Sequence, residues 1–199
     1  MRYQDFIKKY NSYIIEVIKE YKKPLILVSF LFLVGFALGT VSNIDIFILF
    51  KDVFTRLFDK FKDSHGINLL LKIFFHNLFA VAIAIILGFV FGIFPIISAL
   101  INGFIIGLLL ATLNDSAIIS PAKFILVLIP HGIFEIPALF LSFALGINLG
   151  SWPFKRDKKA FFKNTFNKYF PICLKIIIPF LFIAAIIETI GIEVTRAIR

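Results

Sequence analysis

The sequence predicts an all-α polytopic membrane protein with about five transmembrane helices. Of its 199 residues 60% are hydrophobic and the mean hydropathy is +0.97, whereas a soluble domain holds roughly 45 to 50% apolar residues. The apolar residues fall in runs long enough to cross a bilayer, which takes about twenty residues of helix. The basic residues stand in short blocks beside those runs, where they meet lipid headgroups and set orientation. No polar segment is long enough to bury a core of its own, so a single integral membrane domain over residues 1–199 is expected.

Residues 1–23 read as a cytoplasmic amphipathic helix, because Tyr3, Phe6, Ile7, Tyr10, Ile14, Val17, Ile18 and Tyr21 recur at helical spacing with charge on the other face. The first span, 24–41, reads as a retained anchor. The segment before it is long and carries Asp5, Glu16 and Glu20, unlike a cleaved signal peptide. An outer interfacial helix is expected over 44–63, with Phe50, Val53, Phe54, Leu57, Phe58 and Phe61 on one face. Spans 73–94 and 95–113 meet at Phe94-Pro95 and are expected to form a hairpin. The fourth span, 123–149, contains Pro130, Gly132 and Pro137, so it is expected to be kinked or broken there. A second amphipathic stripe, Phe162, Phe166, Tyr169 and Phe170, precedes the last span, 171–192.

Lys and Arg orient the spans. Arg2, Lys8, Lys9, Lys19, Lys22 and Lys23 precede the first span, and Lys155, Arg156, Lys158, Lys159, Lys163 and Lys168 precede the last. Five crossings put both blocks on one side, which is assigned as cytoplasmic with the C-terminus outside. The formal charge of +9 is thereby explained by lipid contact, and nucleic acid is not an expected partner. Cys173 is the only cysteine, which excludes an intrachain disulfide and a multi-cysteine metal site.

Small residues recur every fourth position in three consecutive spans: Ala80, Ala84, Gly88 and Gly92; Ala99, Gly103, Gly107 and Ala111; Ala138, Ser142, Gly146 and Gly150. Gly35 and Gly39 add a pair in the first span. Such runs let helix backbones approach closely, within the bundle or between two copies of the chain. A homo-oligomer, most simply a dimer, is therefore expected beside membrane lipids and other membrane proteins as partners.

The costliest residues lie in Pro130-His131-Gly132-Ile133-Phe134-Glu135-Ile136-Pro137. A charged group at the centre of a membrane helix costs about 2.5 to 3.5 kcal/mol on insertion scales, which makes His131 and Glu135 a functional-site hypothesis. Four residues apart, they share a helix face. His76, Asn77 and Asn102 are expected to join them in a polar cluster in the outer half of the bundle, either as a cavity for an ion, proton or headgroup or as interhelical hydrogen bonds that fix packing. His76, His131 and Glu135 together resemble a zinc ligand set, but the HxxxE spacing lacks the second histidine and the base of HExxH. No nucleophile elbow or phosphate-binding glycine loop is present. No cofactor or metal is expected, and no enzymatic activity.

The run Leu128 to Ala138 around Pro130-His131-Gly132 and Glu135, the segment Phe74-Phe75-His76-Asn77, and Asn102-Gly103 resemble the stage II sporulation protein M family of integral membrane proteins over Leu25 to about Gly191. Members often carry paired asparagines where this chain has His76-Asn77. The resemblance implies a compact helical membrane protein without an established enzymatic activity. In endospore formers it implies a membrane scaffold for a peptidoglycan-remodelling complex with stage II sporulation proteins D and P. The leading expectation is a non-enzymatic scaffold. A transporter, channel or lipid-moving protein using the His131 and Glu135 site is the alternative, with a metal-dependent intramembrane hydrolase behind it.

Overall fold

The computed structural model describes residues 3–42, 63–112 and 121–197, with backbone only at Tyr3, Phe6, Thr112, residues 121–129 and His131. All regular structure among them is helical: α1 (Tyr3–Glu20), α2 (Lys22–Thr40), α3 (Gly66–Leu87), α4 (Ile93–Thr112), α5 (Pro121–Leu149), a 3-10 turn (Trp152–Phe154), α6 (Lys158–Ile172), a π-helical turn (Cys173–Ile177) and α7 (Ile178–Ala197). Five helices are long and apolar enough to cross a membrane, and only 17 to 39% of each apolar window is buried within the bundle. Their outward faces carry Phe30, Leu33, Phe75, Phe79 and Ile86 well exposed. That surface suits lipid. The expected outer interfacial helix, 44–63, lies outside the described residues apart from its last one.

Prolines mark the starts of helices. Pro24, Pro95 and Pro121 all fall in a first turn, where an N–H has no partner within the helix to lose. Pro130 and Pro137 fall inside α5, where a kink or a break is expected; of the two alternatives the break is overturned, since helical backbone runs from Pro121 to Leu149. Each proline forfeits one hydrogen bond, yet α5 is the helix with the largest buried share, and Ala138 and residues 141–146 are all buried. It packs against α2, α3, α4 and α7, and that packing holds the helix through its missing donors.

The expected hairpin of the second and third spans is also corrected. The reversal is made by Gly88 to Gly92, with Phe91 at φ 54° and Gly92 at φ 70°, so α3 ends at Leu87 although the apolar run continues to Phe94. After the turn α4 leaves α3 and lies along α2. A Cβ placed on Gly35 or Gly39 would overlap the carbonyl of Leu100 or Phe104, and one on Gly103 or Gly107 would overlap that of Phe32 or Phe36. The glycine hydrogens on these bonds point at carbonyl oxygens instead, a Cα–H···O arrangement. Position numbers rise together on both sides, so α2 and α4 run parallel, as spans separated by one crossing must.

A second parallel seam joins α3 to α5. Gly88 abuts the backbone of Gly146, Gly146 abuts Ala84, and Gly150 abuts Phe91 and Gly92. The two seams and the buried side chains Val28, Val81, Leu108, Leu145 and Leu181 make the interior. Among the described residues a Cβ on Gly132 meets only Ile136 Cδ1, at 3.7 Å, so Gly132 makes no close approach to them.

At one end of the bundle the amphipathic helices attach. α1 is joined to α2 through Tyr21, whose N–H donates to Val17 O and whose carbonyl accepts from Leu25. Its inner face, Tyr13, Ile14, Val17 and Tyr21, joins the core cluster that contains Tyr169, Ile172 and Ile176. Asp157 caps α6 by accepting from Ala160 N at 2.9 Å. α6, the π turn and α7 then form a continuous 40-residue helical rod, about 60 Å at 1.5 Å per residue.

Candidate functional site

Three polar constellations interrupt the apolar bundle, one at each end and one inside. At the α1 end, Tyr10 Oη donates to Lys175 O at 2.7 Å, Glu20 pairs with Lys168, and the Tyr21 and Tyr169 rings meet edge-on at 6.1 Å. Tyr169 Oη donates to Leu145 O at 2.7 Å and accepts from Asn148 Nδ2 at 3.0 Å. Burial, with Tyr169 and Glu20 nearby, holds the Tyr21 phenol well above its ordinary range. Beside this joint Trp152 stacks on Phe89 at 4.9 Å and donates Nε1–H to the Phe89 carbonyl at 2.9 Å, with Lys158 above its ring. Aromatic side chains with one polar edge and neighbouring lysines are the composition of a membrane interface.

At the opposite end the loop before α3 is tied to the end of α7. Glu193 Oε1 accepts from Gly66 N at 3.1 Å and so occupies the N-terminus of α3, where a carboxylate is favoured. His65 Nδ1 lies 3.3 Å from the same oxygen, Arg196 donates to Ser64 O at 2.7 Å, and Lys72 Nζ donates to Ser64 Oγ at 2.6 Å. From this network a groove of about 1230 Å³ runs along α3 past Asn68, Leu71, Phe75, His76, Phe79 and Ala82.

The interior carries Glu135 on α5 and Glu188 on α7, both half-buried. These helices pack against each other, Phe134 meets Phe180 edge-on at 5.9 Å, and the two carboxylates are near enough for their charges to interact. Considered in its own helix Glu188 looks able to reach the headgroups, and the packing of α7 on α5 is what keeps it half-buried.

The expected polar cluster divides. His76 lines the groove on α3, and Asn77 beside it is half-buried. Asn102 spends its amide donor on its own helix, at Ser98 O 2.8 Å away. Glu135 stands on α5, which packs against the helix that carries Glu188. The side chain of His131 lies outside the described residues, which leaves its expected pairing with Glu135 and the zinc set undescribed. Among the described residues no group of three or more His, Cys, Asp or Glu converges to hold a metal ion. Ser64, His65, Glu193 and Arg196 were missed because each is an ordinary polar residue near the end of an apolar run. Only the fold brings positions 64 to 66 beside 193 to 196.

The helices and their lipid-suited surface define a polytopic α-helical membrane protein. Its residues 27–191 match the family described as Stage II sporulation protein M, and the chain belongs to that family. No curated protein and no solved structure matches it.

Proposed function

We propose that the chain is a non-enzymatic membrane scaffold that assembles as a two-fold homodimer and presents its α1 and α6 helices at the cytoplasmic surface. The supporting observation is the attachment of both amphipathic helices to the bundle through Tyr10, Glu20, Tyr21, Lys168 and Tyr169. Helices bound that way keep a fixed orientation relative to the spans. Their outer faces leave Ile15, Ile18, Phe166 and Phe170 exposed among lysines, a surface fitted to lipid or to an amphipathic partner. The same lysine-rich end is assigned to the cytoplasm by the positive-inside rule, which leaves the C-terminus outside. Family membership supports the scaffold reading further.

A second reading, movement of protons or cations across the membrane, is favoured by Glu135 and Glu188, two half-buried carboxylates on spans that pack against each other. Reconstitution separates the two. A scaffold gives vesicles with no protein-dependent proton or cation flux and a particle of twice the protomer mass in nanodiscs. Flux above protein-free vesicles that disappears in Glu135→Gln would establish transport in its place.

A further inference from the structure

We propose that the flank of α6 carrying Lys159, Lys163, Phe166 and Phe170 binds anionic phospholipid of the cytoplasmic leaflet, with headgroup phosphates at the two lysines and acyl chains against the two rings. This rests on the placement of α6 at the cytoplasmic surface in the reading above, and names what the helix meets there. At about 100° per residue these four side chains share one sector of the helix, roughly a quarter-turn from the buried pair Thr165 and Tyr169. Lys168, paired with Glu20 of α1, lies on the opposite flank. Among the described residues α1 thus covers one side of α6 and leaves the other open, where Phe166 is 68% and Phe170 57% exposed with their rings stacked at 6.0 Å. Trp152 and Phe162, 6.0 Å apart, border the open sector.

Charge selects an anionic occupant. From Gly150 to Pro171 the chain carries six basic residues and one acidic, Asp157, whose carboxylate is spent on capping α6. Over Tyr3–Glu20 α1 carries three of each, so the net charge resides on α6. A second copy seated on this flank by a two-fold axis would bring Lys159 and Lys163 against their own counterparts, and like charges disfavour that occupant. Continuity favours lipid over a soluble acidic protein. Leu174, four residues beyond Phe170, is exposed as well, and the helix runs on into α7, where Phe182 and Ile183 are exposed on the surface suited to acyl chains. Rings beside lysines at the end of a span are the side chains that a headgroup boundary favours, and a basic amphipathic helix there draws anionic lipid.

Trp152 is the only tryptophan of the chain and stands beside this flank, so its fluorescence reports the lipid there. The full chain is reconstituted in phosphatidylcholine vesicles that contain a fixed fraction of either phosphatidylglycerol or phosphatidylcholine brominated on the acyl chains, and quenching of Trp152 gives the relative binding of the two. Brominated phosphatidylglycerol is expected to quench more strongly. Lys159→Gln and Lys163→Gln, both at exposed positions, should each lower that preference by up to about fivefold, the worth of one lysine at an anionic surface. Lys9→Gln, on the polar face of α1, should leave it unchanged. Inorganic phosphate should leave it unchanged too. Equal quenching by both lipids overturns the proposal and leaves the flank to a soluble acidic partner. A preference indifferent to both lysines, or abolished by inorganic phosphate, overturns it as well. The flux and mass measurements that decide between scaffold and transport do not read this preference, so either reading can fail without the other.

Discussion

The hydroxyl of Tyr10 donates to the carbonyl of Lys175 at 2.7 Å, and this is the carbonyl that Pro179 cannot serve. In an α-helix the N–H of residue 179 would donate four residues back, but proline has none to give. The helix relaxes into a π turn over Cys173–Ile177, and a side chain from the opposite end of the sequence supplies a donor. Lys175 Nζ lies over the Tyr13 ring at 5.1 Å, which closes the same joint from its other side.

Tyr10→Phe is therefore expected to destabilise the protein by about 1 kcal/mol, the net worth of one hydrogen bond, read as thermal unfolding in detergent. A pH signature accompanies it. Burial raises the Tyr10 phenol above its ordinary value, so the folded protein prefers the neutral donor. The contribution is fully present below the unfolded value of about 10 and is lost as pH rises through the folded one. Tyr13 and Tyr21 are raised as well and act alike in both proteins. The alkaline loss of stability should be shallower in Tyr10→Phe, and identical profiles would show that the bond contributes nothing.

The glycines separate into two groups with opposite expected responses. Gly88→Leu and Gly107→Leu drive a side chain into the backbone of Gly146 and Phe36, which cannot move aside as a flexible side chain can. Each should cost several kcal/mol or prevent folding, on the scale of about 1 to 3 kcal/mol for ordinary overpacking and above it. Among the described residues Gly132→Ala meets only a methyl at contact distance, and it removes a helix-destabilising residue. It should raise stability by about 0.5 to 1 kcal/mol. Parent-like melting of Gly88→Leu and Gly107→Leu would mean that the seams open without cost.

The helical class, the number of spans and the small-residue positions were legible because they depend on local composition and period. Which helix a seam belongs to was not. The glycines of α4 have the same spacing whether they meet α3, the sequence neighbour, or α2, and the Gly88–Gly92 turn decides between them. Charged residues show the same limit. Glu135 is conspicuous in its own helix, whereas its relation to Glu188 and that of Gly66 to Glu193 depend on contacts across more than fifty residues. Pro130 and Pro137 leave a kink and a break equally open for a related reason: the local loss is visible in sequence, and the packing of four helices around α5 is not.

Topology is tested by single cysteines in a Cys173→Ser background. The bundle puts Lys9 and Lys158 at one end and Asp63 at the other, on exposed positions in each case. With the basic end inside the cell, an impermeant thiol reagent should label a cysteine at Asp63 and spare those at Lys9 and Lys158 until the membrane is opened. Labelling of position 9 or 158 in intact cells reverses the assigned orientation, and labelling of all three is incompatible with five crossings.

Glu135 separates packing from transport. If Glu135 and Glu188 hold helices together through hydrogen bonds, Glu135→Gln keeps an acceptor and gains two donors, and it removes one of two carboxylates on the packed pair of helices. Stability should then be equal or higher and complementation of a deletion strain complete. Glu135→Leu, by contrast, strands whatever polar groups it faced, at about 1 to 3 kcal/mol. A proton or cation site behaves differently, because only a carboxylate ionises and supplies negative charge. There Glu135→Gln would fold normally and still fail to complement. The scaffold reading expects the first pattern, so a well-folded, inactive Glu135→Gln would transfer the function from the surface helices to the interior carboxylates.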